Sequence, residues 1–318
     1  MFKHLLTRAA TALVLGLVLC TSHAQDINFG IVSTESAHSL KQNWQPLLDD
    51  LARKTGLKFN FFFATDYAGV IEAMRFNKVQ VAWFGNKSAM EAVDRSNGEI
   101  FAKVVNNDGT EGYYSHLIAH RDSAIKSVDD IFKNGKSLTF GNGDPNSTSG
   151  YLVPGYYIFA KNNIDPKTHF KVTRSANHEA NALAVANHQV NFATNNSENL
   201  SQLERTFPEK AKDVRVIWTS PLIASDPLVW RKDLAPETKT KLKSFFLNYA
   251  KTDAHEKEVM NNLYKWGGFR ESSDAQLKPI RQLDLFSRRI KLEADATVSD
   301  ADKKARLAEI DKRLEDLN

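Results

Sequence analysis

Short apolar runs alternate with stretches whose apolar residues recur at helical spacing. Ile27-Asn-Phe-Gly-Ile-Val32 reads as a buried strand of the parallel type. Leu40, Trp44, Leu47, Leu48 and Leu51 follow at helical spacing and stop at Gly56. Pro46 inside that pattern predicts a kink or a restart. Strands are expected at Lys58–Phe63 and Val79–Phe84, and helices at Gly69–Asn77 and Ser88–Val93. Asp66-Tyr67 sits in the turn after the second strand, and Gly85-Asn86 closes the third. Ile100–Val105 and Tyr114–His120 predict two more strands around a polar turn, Asn106–Gly112, which Tyr113 follows.

The pattern then starts again. Ser127-x-x-Asp130 is a capping box. Strands are predicted at Ser137–Phe140, His169–Thr173, Val190–Thr194 and Val214–Trp218. Helices are predicted at Tyr151–Asn163, disturbed at Pro154-Gly155, and at Glu179–His188 and Asn199–Phe207. Asp226–Trp230 returns the chain to the first unit, and helices are expected at Glu237–Ala250, Ala254–Tyr264 and Asp274–Arg288. Strand–helix alternation of this kind makes α/β lobes with mostly parallel sheets, whose ligands meet the loops after the strands' carboxyl ends. In the tail, Leu307, Ile310, Leu314 and Leu317 form a narrow apolar seam on a charged helix. That seam either docks on the chain's own surface or pairs with a second copy as a homodimer.

The stretch Gly141-Asn-Gly-Asp-Pro-Asn-Ser-Thr-Ser-Gly150 joins a strand to a helix with three glycines, a proline and three consecutive hydroxyls. A helix start has free N–H groups and partial positive charge. With Ser147, Thr148 and Ser149 it makes a donor-rich cup for a phosphate-like anion. The same residues also suit a plain N-cap.

Residues 1–24 read as a secretory signal peptide: Lys3 and Arg8, an apolar run from Ala9 to Cys20, and the small-x-small site Ser22-His-Ala24. The alternative is a lipid anchor on Cys20, although Leu19 precedes it where a small residue is usual. Cys20 is the only cysteine, so neither a disulfide framework nor a thiolate metal site is expected after cleavage. Removing Lys3 and Arg8 leaves 40 basic against 38 acidic residues. This balance argues against a nucleic-acid partner. Together these features predict a soluble, exported, two-lobed protein.

Enzyme signals fail on inspection. Gly135-Lys-Ser137 lacks its earlier glycine, because Asp130 stands there, and Gly141-x-Gly143 is followed by Asn146 instead of a third glycine. His178-Glu179 has Ala182 where a zinc-protease helix needs its second histidine, and His116 and His120 lack a nearby acidic ligand. No Gly-x-Ser-x-Gly elbow is present.

The chain resembles the periplasmic phosphonate-binding proteins of phosphonate ABC transporters. The resemblance rests on Asn28-Phe-Gly-Ile31 with Ser33-Thr-Glu-Ser36, Asp66-Tyr-Ala-Gly69, Met74-Arg-Phe-Asn-Lys78, Ser88–Arg95, Leu138–Gly150, Leu152–Tyr157, His178-Glu179 with Asn181–Asn187, Ala193-Thr-Asn-Asn196, Ser220–Ile223 and Pro279–Leu283. It covers most of residues 27 to 286, and the long Gly141–Gly150 match is its most specific part. It implies a two-lobed periplasmic binding protein fold (type II-like), with two crossover hinge segments and a C-terminal helical tail. The implied division is 1–24 signal peptide, 25–122 first segment of lobe 1, 123–226 lobe 2, 227–289 return to lobe 1, and 290–318 tail.

By resemblance, Ser147, Thr148 and Ser149 hold the phosphonate oxygens, with Tyr67, Tyr113 and His178 around them. Glu198 and Asp226 are implied to meet the ammonium of an aminoalkyl phosphonate; read alone, Glu198 is a helix-start residue and Asp226 a turn before Pro227. Phe84 stands where relatives can carry Tyr, so no hydroxyl is expected there. No catalytic residue, cofactor or metal is implied; the implied partners are a small phosphonate and a membrane permease.

Overall fold

The computed structural model describes residues 26–317. The expected signal peptide and Cys20 lie outside the described residues. In chain order the strands are β1 Ile27–Ile31, β2 Phe59–Phe63, β3 Val81–Trp83, β4 Gly98–Asn106, β5 Gly112–Tyr113, β6 Ser115–His120, β7 Thr139–Asn142, β8 Val172–Ser175, β9 Phe192–Asn196, β10 Val214–Thr219, β11 Ile223–Ala224, β12 Pro227–Arg231 and β13 Trp266–Glu271. One sheet has the order β13-β4-β12-β3-β1-β2 and the other β10-β6-β9-β7-β8. The chain passes from the first sheet to the second after β4 and back after β10. These two crossings are tied together by an antiparallel ribbon of β5 and β11.

The sheets are mixed, which corrects the expectation of mostly parallel ones. β1 runs parallel to β2 and β3, and β7 to β8 and β9. β12 is antiparallel to β3 and β4, β13 to β4, and β6 to β9 and β10. The reason is topological. The parallel strands point their carboxyl ends at the cleft between the sheets. A strand entering from the other sheet starts at that cleft, so it must run the opposite way; β6 and β12 are those strands. Each sheet thus repeats one plan: three parallel strands with the first in the middle, then the incoming strand, then the outgoing one.

The first core is aromatic. Trp44 from the helix Ala37–Thr55 lies 5.3 Å from Trp83 and 5.9 Å from Phe29, ring centre to ring centre, and Trp266 lies 5.6 Å from Trp83. All four are buried. Truncating Trp44 to Ala would cost about 3–5 kcal/mol. The second sheet carries its own apolar cluster around Phe140, Phe159, Phe170 and Phe192.

Several elements differ from the expected ones. One helix, Ala37–Thr55, runs through Pro46 without a restart. Pro46 and Gln42 are both exposed, so the carbonyl that proline leaves without a donor can be met by water. Residues Pro166–His169 form a short helix, started by Asp165 with Pro166 in its first turn, and the strand begins only at Val172. The strand β13 had no sequence signal, because Gly267-Gly268 breaks its alternation. Helix begins at Thr148, ahead of Tyr151, in a π-helical turn, and a second π turn covers Gly155–Phe159.

The tail helix Asp300–Asp316 folds back on the helix Lys278–Ala294. Arg289 Nη1 donates to Asp311 Oδ1 at 2.8 Å, Leu314 is buried, and Leu307, Ile310 and Leu317 are half-buried. The seam is therefore packed within the chain, which favours docking on its own surface over a homodimer.

Candidate ligand-binding site

Helix starts converge on the cleft. Asp66 caps the helix Tyr67–Arg75, accepting from the Gly69 N–H at 2.8 Å, so Tyr67 is its first residue. Asn177 caps His178–Ala186 and makes His178 the first residue there. Asn196 caps Ser197–Thr206 through the Asn199 N–H at 2.7 Å, which puts Glu198 in that helix's first turn. Ser147 caps the turn opening at Thr148, its Oγ accepting from the Gly150 N–H at 3.0 Å. These caps are local sequence chemistry. Their result is a set of helix N-termini, each with partial positive charge, around one space.

That space is a small cavity within the closed cleft. All eight residues singled out from the sequence line it: Tyr67, Tyr113, Ser147, Thr148, Ser149, His178, Glu198 and Asp226. Tyr113 lies on the crossover strand β5, and Asp226 directly precedes β12, so the hinge supplies both. The wall also includes Thr34, Trp83, Gly85, Asn196, Asn199 and Tyr264. The signal for Gly85 was its place at a strand end, and for Asn196 its place in the Asn195-Asn196 pair. Trp83 looked like ordinary core, and Tyr264 stood in a stretch read as helix. Instead the helix stops at Asn262, and Tyr264 and Lys265 both adopt positive φ, 58° and 61°. This pair of left-handed residues is strained backbone that turns the Tyr264 ring onto Trp83, centroids 5.9 Å apart.

The hydroxyl side is preorganised. Ser149 Oγ accepts from Asn196 Nδ2 at 3.1 Å, and Thr148 Oγ1 accepts from the Lys87 N–H at 2.8 Å across the cleft. His178 Nε2 lies 3.5 Å from Ser147 Oγ, and its Nδ1 is buried without a partner. The Trp83 indole N–H is likewise unpartnered. Burial holds the His178 imidazole down at about 4, so it is neutral at physiological pH. Burial pushes the Tyr67 and Tyr113 hydroxyls up, and both remain O–H donors.

The opposite side is acidic. Asp226 Oδ1 accepts from the Tyr113 hydroxyl at 2.9 Å and from Asn86 Nδ2 at 3.1 Å. Glu198 Oε1 accepts from the Trp266 indole N–H at 2.7 Å. Burial, then the neighbouring Glu198 charge, drives the Asp226 carboxyl well above its ordinary range, and burial raises Glu198 too. Two such groups in one closed space resist ionising together unless a cation lies between them. The one hydroxyl beside an imidazole, Ser147 next to His178, is engaged as a helix cap, and the ring has no third group on Nδ1 to orient it; among the described residues there is no cluster of metal ligands.

The cleft is shut around the cavity. Besides the Lys87–Thr148 and Trp266–Glu198 bonds, the Tyr67 N–H meets Asp144 Oδ2 at 3.2 Å and the Glu179 N–H meets the Thr34 carbonyl at 3.2 Å.

Known proteins share this plan. The family described as the periplasmic substrate-binding protein of the phosphonate ABC transporter matches residues 29–277. The chain is 54% identical over 308 residues to the phosphonates-binding periplasmic protein of Escherichia coli strain K12, covering 96% of this chain and 90% of that one. It is 28% identical over 245 residues to a phosphate-import protein of Mycolicibacterium smegmatis, covering 74% and 75%. The crystal structure of a binding protein component of an ABC phosphonate transporter from Pseudomonas aeruginosa superposes with a TM-score of 0.90 at 55% identity, covering 92% and 97%. From the fold, the cavity and these relatives together, the chain belongs to the periplasmic phosphonate-binding proteins of ABC transporters, and it is a substrate-binding protein, not an enzyme.

Proposed function

We propose that this receptor captures phosphonates carrying a cationic tail, of the 2-aminoethylphosphonate kind, and presents them to its permease with the two lobes closed. In this reading residues 25–106 and 227–289 make one lobe and residues 115–219 the other; the expected boundary at residue 122 moves back because β6, Ser115–His120, pairs within the second sheet. The segment up to Ala24 directs export to the periplasm.

The observation that carries the proposal is the pairing of Glu198 and Asp226 in the same cavity as the hydroxyl cup. A phosphonate keeps three oxygens and replaces the fourth with carbon. Its oxygens take donors from Ser147, Thr148, Ser149, Tyr67 and His178 and from the helix N–H groups. Each hydrogen bond to so charged a group is worth about 1.5–3 kcal/mol. Discrimination then falls to the far end, where an ammonium lets both carboxyls ionise and accept from it. Closure needs contacts from both lobes, and the site residues are drawn from both and from the crossovers.

The test is calorimetric titration of the mature protein with 2-aminoethylphosphonate, methylphosphonate, phosphate, phosphite and sulfate. The aminophosphonate should bind tightest by at least tenfold. Preferential binding of phosphate, as the name of the mycobacterial relative suggests for that protein, would leave the cup in place and overturn the roles of Glu198 and Asp226.

A further inference from the structure

Glu35 is a buried carboxyl that the cavity does not use. It follows β1, is 2% exposed, and has one oxygen, Oε1, without any partner. Its other oxygen accepts from Asn43 Nδ2 at 3.0 Å. The Tyr264 hydroxyl lies against it on the cavity side. The helix starting at His178 and the helix Ser197–Thr206 reach the residues around it from across the cleft. The Ser36 N–H donates to Glu179 Oε1 at 3.2 Å, and the Glu179 N–H donates to the Thr34 carbonyl, so the loop around Glu35 is clamped on both flanks. Arg205 Nη2 donates to Asn43 Oδ1 at 2.8 Å, making Asn43 a bridge between Glu35 and the other lobe.

We propose that closing the cleft takes up a proton at Glu35, so that ligand capture is coupled to pH through a carboxyl that never touches the ligand. This goes beyond the proposed ligand preference and rests on that reading only for the choice of probe. The groups facing Glu35 are Tyr264 and Tyr67 from its own lobe and Glu179 and Arg205 from the other. Burial raises the Glu35 carboxyl from 4.5 to about 7, against the Tyr264 hydroxyl, which favours ionisation. Glu179 opposes ionisation too, while Asn43 and the exposed Arg205 favour it more weakly than Tyr264 does. With the cleft open, water reaches the loop and the ordinary value is approached.

The sign follows directly. An acid whose value is raised on closing favours the closed state below that value and ceases to do so as pH rises through it. With 4.5 for the open form and about 7 for the closed one, closure loses up to about tenfold between pH 6 and pH 8.

The experiment compares wild type with Glu35→Gln by calorimetric titration with 2-aminoethylphosphonate at pH 6 and pH 8, each in two buffers of different ionisation enthalpy. Titration of the ligand and of the Glu198–Asp226 pair occurs in both proteins and cancels in the comparison. The ratio of wild-type to variant Kd should rise up to tenfold from pH 6 to pH 8, and wild type should take up the larger number of protons on binding. A ratio that stays constant, with equal proton uptake, overturns the proposal. Glu179→Gln is a second variant that keeps the acceptor for Ser36; it should move the wild-type pH profile to lower pH, and an unmoved profile counts against the proposal. If 2-aminoethylphosphonate binds neither protein, the ligand reading falls separately. Small-angle scattering of the ligand-free proteins then decides this one: a radius of gyration smaller at pH 6 than at pH 8 in wild type alone supports it, and identical behaviour of the two proteins overturns it.

Discussion

Replacing Asp226 by Asn separates the two ends of the cavity. In the native protein Oδ1 is already engaged by Tyr113 and Asn86, while Oδ2 lies on the Gly85 side and, on the proposed reading, is the oxygen that meets the ammonium. Asn keeps the shape and the Oδ1 acceptor, and puts an N–H₂ where Oδ2 stood. An ammonium then loses a carboxylate and gains a donor it cannot use. Two unit charges 4 Å apart at an effective dielectric constant of 20 attract by about 4 kcal/mol. Truncating one partner of a buried charged pair costs about 2–5 kcal/mol, or roughly thirtyfold to several thousandfold in Kd. Methylphosphonate has no ammonium and is repelled by the acid, so its affinity should hold or improve. Asp226→Asn should also raise the unfolding midpoint of the ligand-free protein at pH 8, because a carboxyl held far above its ordinary value opposes folding once it must ionise. Calorimetry with both ligands and a thermal scan make the test. Equal losses for the two phosphonates would refute the reasoning.

Other expectations are as direct. Thr148→Val removes both the acceptor of the Lys87 N–H across the cleft and a donor to the anion, so it should weaken both phosphonates alike, by about 1.5–3 kcal/mol in calorimetry. Gly85→Ala adds a Cβ 3.2 Å from Thr148 Oγ1 and 3.8 Å from Asp226 Oδ2. The φ of −71° at Gly85 suits alanine, so thermal stability should hold while affinity falls, and unchanged affinity would show that closure does not need that space. Glu198 and Asp226 are both raised, so the ligand-free midpoint should fall as pH goes from 6 to 8.5; in the Glu35→Gln variant, where closing adds no slope of its own, bound 2-aminoethylphosphonate should flatten that fall. Deleting residues 296–318 should expose Leu292, now buried, and lower the midpoint with no change in Kd.

The α/β lobes were legible because parallel strands are short apolar runs and their helices keep a regular apolar face. Strand direction was less legible. β4, β6, β10 and β12 look alike in hydrophobicity, and only the route of the chain between the sheets makes β6 and β12 run backwards. The strand β13 was hidden by its two glycines. Within the site, the hydroxyl run Ser147–Ser149 announced itself through local capping chemistry. Tyr113, Glu198 and Asp226 did not, since each has an ordinary local explanation; only the resemblance pointed to them. Tyr264 and Trp83 gave no signal at all. Their place depends on a left-handed pair of residues and on one strand end meeting another element far along the chain.

The position of Tyr113 and Asp226 joins two properties of this receptor that need not have gone together. Both belong to the segments that cross between the two sheets, and they are bonded to each other at 2.9 Å. The cup comes from a helix start in one lobe and would meet any anion with three suitable oxygens. On the proposed reading, the carboxyl next to the ribbon of β5 and β11 would sense what hangs from the phosphorus. On that reading a ligand without a cation would leave Asp226 and Glu198 unable to ionise together in the closed cleft, and a ligand with one would let both ionise there. Selectivity and closure would then be carried by the same groups, and variants that relax the choice of ligand at Asp226 should also change how completely the lobes close.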